Sequence, residues 1–289
     1  MTFGTFIAPD AMLNDASDPA AALGIAIPSG YQARAQMNPL LGVNRIFDRI
    51  AGKVRDLSLA YEDQCSPQYY YDIVRTLRDY NGQFDRVVEV GVFMGGSTAY
   101  FAGCIEAFDF DLDLIDISPD YLRFAHERVR RMFPEAARRM RLFHGDVPSY
   151  VRHVMLEERG RRNIVHHDGD HNFEQVVKDL AALSFVREDL VALIAQDTHL
   201  RGTPHFMNFV DMALYAVFGT ELNYASIGAA YHGDNEMTRP NRYQGNYFMP
   251  GVAEGVVLPM AANSFLYPHP LLGAEHFLPP ARGELDVAA

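Results

Sequence analysis

Apolar positions in this chain follow two rhythms. Val43, Ile46, Phe47, Ile50, Val54, Leu57 and Leu59 recur at near-helical spacing and predict a helix over 41–61; Pro67 opens a second, with Tyr70, Ile73, Val74 and Leu77, to about Asp79. Short apolar runs then predict strands at 86–92, 111–116, 140–146, 163–167 and 190–195. Helical spacing returns between them, over 99–107, 119–133, 147–158 and 175–183. Such alternation predicts an α/β fold with a doubly wound, mostly parallel sheet. A helix over 204–218 and extended segments near 222–227 and 243–249 predict an antiparallel C-terminal hairpin, with the polar stretch 231–242 between them as a loop.

Residues 1–40 are rich in Ala, Pro, Gly and Asn and read as an extended arm or lid. The expected organisation is an arm with covering helices over 1–80, one domain over 81–260, and a Pro-bearing tail over 261–289 that packs on a neighbour or is partly mobile. A net charge of −12 opposes a nucleic-acid partner. The arginines at 128, 130, 131, 138, 139 and 141 are interleaved with Glu127 and Glu135 and read as a solvated helix face. Cys65 and Cys104 are too few for a disulfide framework. The N-terminus lacks the pattern of a signal peptide, and no run reaches membrane-span length, so a soluble cytoplasmic protein is expected.

The chemistry centres on Glu89-Val-Gly91-Val-Phe-Met-Gly95-Gly96-Ser97-Thr98. Here a strand stops at a turn where glycines allow φ > 0 and close approach of a ligand, and Ser97 or Thr98 can cap the next helix. The spacing does not match the dinucleotide fingerprint, and the lysine of a phosphate loop is missing. A generic Gly-rich turn is the alternative for this stretch alone. The stretch resembles the first motif of class I S-adenosylmethionine methyltransferases, most of all the small-molecule O-methyltransferases of the macrocin and cephalosporin-hydroxylase-like groups. That resemblance implies a Rossmann-like sheet and cofactor contacts from Glu89, Gly91, Gly95, Gly96, Ser97 and Thr98. Asp116, at the end of the next strand, is the expected ribose ligand. Asp146 matches the position that hydrogen-bonds adenine or nearby backbone, and it is equally suited to cap a helix. Gly91→Val is expected to abolish cofactor binding in a folded protein.

Two further strand ends carry acids: Asp168-Gly-Asp170-His171, and Gln196-Asp197. They look like the metal site of catechol-type O-methyltransferases, which implies Asp168, Gln196 and Asp197 as ligands of a divalent cation such as Mg2+. Gln196 stands where those relatives usually carry an acid. His171 takes the place of their catalytic lysine and is the expected base, beside Asp168. The implied function is O-methylation of a small metabolite, such as a sugar or polyketide-type natural product, by a homo-oligomer. A metal-independent N-methyltransferase and a non-catalytic cofactor-binding subunit are the alternatives.

Overall fold

Strands flanked on both faces by helices are buried on both sides and read as mostly apolar runs, and the five central runs are of this kind, with a few buried polar residues such as Glu89, Asp113 and His166 among them. The computed structural model describes residues 2–26, 40–57, 65–200, 208–230, 253–268 and 272–280. Its strands are β1 (Thr5–Ile7), β2 (Arg86–Val90), β3 (Asp111–Asp116), β4 (Met140–His144), β5 (Asn163–His167), β6 (Leu190–Gln196), β7 (Ala225–Ala230) and β8 (Ala253–Pro259). They form one sheet in the order β1-β4-β3-β2-β5-β6-β8-β7. β4, β3, β2, β5 and β6 run parallel. β1 is antiparallel to β4, and β8 is antiparallel to both β6 and β7. Strand order reverses at β2, with β3 on one side and β5 on the other, which opens a crevice beyond the carboxyl ends of these strands.

The helices are α1 (Pro19–Ala22), α2 (Arg45–Asp56), α3 (Pro67–Asp79), α4 (Gly96–Phe108), α5 (Pro119–Met132), α6 (Pro134–Ala137), α7 (Val147–Tyr150), α8 (Phe173–Leu183) and α9 (Val210–Phe218). α3 and α5 start where Ser66 and Ser118 accept backbone N–H bonds ahead of a proline at the first helical position. One core packs α2 to α6 on one face of the sheet. The other packs α7, α8 and α9 on the opposite face. The fold is thus the expected doubly wound α/β sheet closed by an antiparallel hairpin. The 231–242 loop and the 243–249 strand lie outside the described residues; the strand beside β6 is β8.

Three segments differ from expectation. The N-terminal segment is not merely an arm, because β1 forms an edge of the sheet. The arginine cluster is not one solvated face: Arg128 is buried and donates to the Met94 carbonyl at 2.9 Å, the partly exposed Arg139 and Arg141 pair with Asp111 and Asp113, and Arg138 stays exposed. The described tail packs on its own chain, with Leu278 in the second core and Leu266 N–H donating to Val217 O at 2.7 Å. Among the described residues, no helix is long and apolar enough to cross a membrane.

Candidate functional site

β2 ends at Gly91, whose φ is +77°. A Cβ there would lie 2.0 Å from the carbonyl oxygen of Asp168, so the close approach that demands glycine is by the end of β5. The expectation that Gly91→Val leaves a folded protein is therefore corrected. Gly95, at φ +71°, caps α4 through its backbone, and a Cβ there would press on Ala125 of α5 at 2.9 Å. Neither Ser97 nor Thr98 caps α4. The Ser97 hydroxyl instead donates to Glu89 Oε1 at 2.6 Å, and Thr98 is fully buried.

A cavity of about 580 Å3 opens at the carboxyl ends of β2, β3, β4 and β5. Of the expected cofactor residues, Gly91, Asp116 and Asp146 line it; Glu89, Gly95, Gly96, Ser97 and Thr98 do not. Alternation along β2 explains Glu89: Val90 faces the cavity, so Glu89 faces the opposite core. There burial raises its carboxyl to about pH 8, against the opposing pull of Ser97. Across the β2–β5 register His166 sits beside it, kept neutral by burial and sharing a 2.8 Å hydrogen bond with Tyr69 of α3.

Asp116 Oδ2 accepts from the backbone N–H groups of Val92 (2.9 Å) and Phe93 (3.4 Å), and Oδ1 from that of Ser118 (2.8 Å). It thereby holds the Gly-rich turn, including Phe93 at φ +43°. Burial raises its carboxyl above the usual range despite these bonds. Asp146 caps α7 through the Ser149 N–H at 2.9 Å while facing the cavity, so cap and lining coexist. Asp168, Asp170 and Asp179 also line it, giving five aspartates and, among the described lining residues, no lysine, arginine or histidine. Such a cavity suits a cationic ligand and repels phosphates. Asp179 pairs with Gln175 four residues earlier on α8, a spacing visible in the sequence. Phe3 and Ile117 also contribute to the wall, and Phe3 carries no local signal.

Asp168, His171 and Asp197 converge, with one potential ligand atom from each within 4.8 Å of the others. His171 Nε2 lies 2.8 Å from Asp197 Oδ2 and 3.7 Å from Asp168 Oδ1. Burial opposes charge on the ring, but the two carboxylates outweigh it and raise the imidazole well above its ordinary range. Burial likewise raises Asp168. Gln196 does not join them. It is the last residue of β6, its side chain points to the other face, and its amide donates to Cys65 Sγ at 3.1 Å. Asp197, at φ +60°, turns the backbone out of the strand toward His171.

Residues 88–198 match the family model described as a methyltransferase domain. No curated protein matches the chain. Among solved structures it resembles the calicheamicin methyltransferase CalS11, at 13% identity over 74% of this chain and 91% of that one, with a TM-score of 0.48. The apo form of CalS11, described as a TDP-rhamnose 3'-O-methyltransferase, gives 14% identity over 90% and 99%, with a TM-score of 0.45. The O-methyltransferase TomG from Streptomyces achromogenes, solved with S-adenosylmethionine, gives 17% over 56% and 69%, with a TM-score of 0.39.

Proposed function

We propose that this chain, which carries a methyltransferase domain of the S-adenosylmethionine-dependent class, methylates a hydroxyl of a small metabolite such as a sugar or polyketide-type natural product. The observation that carries the reading is the cavity at the sheet's switch point, whose largely apolar wall carries five aspartates and, among the described residues, no basic side chain. S-adenosylmethionine brings a sulfonium and an ammonium, and both are favoured there. Asp116 and Asp146 belong to its nucleoside end, and the Gly91–Asp168 junction to its methionine end.

Methyl transfer breaks the S–CH3 bond, forms an O–CH3 bond and releases the hydroxyl proton. The protein's task is to align the acceptor and accept that proton. Asp168 is the member of the acid–histidine group that faces the cavity. With His171 protonated and held by Asp197, a carboxylate oxygen of Asp168 is open to the proton. His171 thus steadies the acids in place of acting as the first base.

The same three residues offer two carboxylates and one imidazole, a donor set that fits a borderline cation such as Mn2+ better than Mg2+, which prefers oxygen ligands throughout. When bound, such an ion would supply acidification of the acceptor hydroxyl. Gln196 is not part of this set.

The test is transfer of a labelled methyl group from S-adenosylmethionine to a panel of hydroxylated small molecules, including sugars and polyketides, with and without a chelator. Transfer only to amine acceptors would sink the hydroxyl reading. Activity is expected to fall on chelation and to return with Mn2+; undiminished turnover after exhaustive chelation would remove the cation and leave the proton route through Asp168.

A further inference from the structure

Although residues 2–26 carry no periodicity, they are fastened to the domain at three places. β1 pairs with β4, and the Gly4 N–H donates to His144 O at 2.8 Å. The approach is close enough that a Cβ on Gly145 would meet Gly4 Cα at 3.3 Å. On α5, Arg131 donates to the carbonyls of Leu13 (3.0 Å) and Ala16 (2.7 Å), and buried Glu127 holds its guanidinium in place. Finally Ala20, Leu23 and Ile25 pack with Met94 and Phe124 beside Phe93, so the arm backs the Gly-rich turn itself.

The result of this fastening is the position of Phe3. Its ring stands edge-on to His144, with centroids 5.5 Å apart, and lines the cavity while half exposed. Ile117, 70% exposed, lines the same cavity. These two large apolar side chains, left exposed at the cavity wall, gain free energy when a flat apolar group covers them. They stand with Asp116 and Asp146, away from the Gly91–Asp168 junction.

We propose that Phe3 is a cofactor-binding residue that holds the purine of S-adenosylmethionine, and that the arm is a structural wall of the cofactor site. This rests on the cofactor reading above. Residues 5–25 position Phe3, and they do so through bonds made far from the reacting atoms.

The chain contains no tryptophan, so Phe3→Trp places a single indole at the wall. Phe6→Trp is the control, because Phe6 lies under the Arg141 guanidinium, 4.6 Å from its ring centroid, and does not line the cavity. Each variant is titrated with S-adenosylhomocysteine by fluorescence and by calorimetry. The emission of Phe3→Trp should change and saturate at the calorimetric Kd, while that of Phe6→Trp stays constant. Phe3→Ala should bind S-adenosylhomocysteine about 10-fold more weakly, whereas Phe3→Tyr stays within about twofold of wild type. Arg131→Gln, which loosens the arm away from the cavity, should also weaken binding. Wild-type affinity in Phe3→Ala overturns the proposal whatever the indole reports, and leaves the cofactor reading standing. Failure of the wild-type protein to bind S-adenosylhomocysteine overturns both.

Discussion

The carboxylate of Asp116 holds the turn whose backbone faces the cavity, so its loss should be felt twice. Asp116→Ala leaves the Val92 and Phe93 amides without their acceptor and releases a non-glycine residue from a left-handed conformation. The expected cost is about 1–3 kcal/mol in unfolding free energy, with S-adenosylhomocysteine affinity falling in parallel. Urea unfolding beside calorimetry would separate this from a pure ligand contact, which would spare stability. Glu89 makes a different prediction, because burial carries its pKa from the ordinary 4.5 to about 8. Between these values the native state holds a proton that the unfolded chain has released. Stability therefore falls as pH rises through that window. Glu89→Gln should flatten this slope, and an unchanged pH dependence of the unfolding midpoint would show that Glu89 is ionised in the native protein.

At the scale of elements, α3 is bolted to the sheet by polar bonds as well as by its apolar face. Its cap Ser66 donates through backbone and hydroxyl to Glu254 of β8, and Tyr69 reaches His166 of β5. Tyr69→Phe keeps the packing but leaves a buried imidazole nitrogen unpaired. It should lower stability by about 1–2 kcal/mol while cofactor affinity is retained, because His166 faces away from the cavity. A loss of affinity with unchanged stability would place this pair in the binding site. The arginines of α5 carry a similar lesson. Spacing alone groups them as a charged face, yet Arg130 and Arg131 donate to carbonyls at 13, 14 and 16, more than a hundred residues away. An arginine fork fits a turn of carbonyls as readily as it fits water.

For the whole molecule, the net charge of −12 and the five lining aspartates act together. A cationic sulfonium should be drawn more strongly than the neutral thioether that remains after transfer. S-adenosylmethionine should therefore outbind S-adenosylhomocysteine at low ionic strength, with the margin shrinking as salt screens the field. Calorimetry of both ligands across a salt series tests this, and a salt-independent ratio would assign the preference to local contacts alone.

Local patterns legible in the sequence determined the elements. α3, β3 and β5 fall on the residues that periodicity and caps mark, because strand and helix periods and a Ser-Pro start act over a few neighbouring residues. The alternation of these elements determined a doubly wound sheet, and the Gly-rich turn after β2 marked its switch point. Only the tertiary structure decided which side chains share a face and a space. Gln196 and Asp197 are adjacent, and the end of the strand between them sends them apart: Gln196, its last residue, reaches Cys65, and Asp197, in a left-handed turn, reaches His171. Gly91 is required by the backbone of Asp168, 77 residues on, and Phe3 reaches the cavity through pairings and arginine bonds that leave no local mark on residues 2–26. Contacts between distant segments depend on how the layers stack, and a one-dimensional pattern does not carry that information.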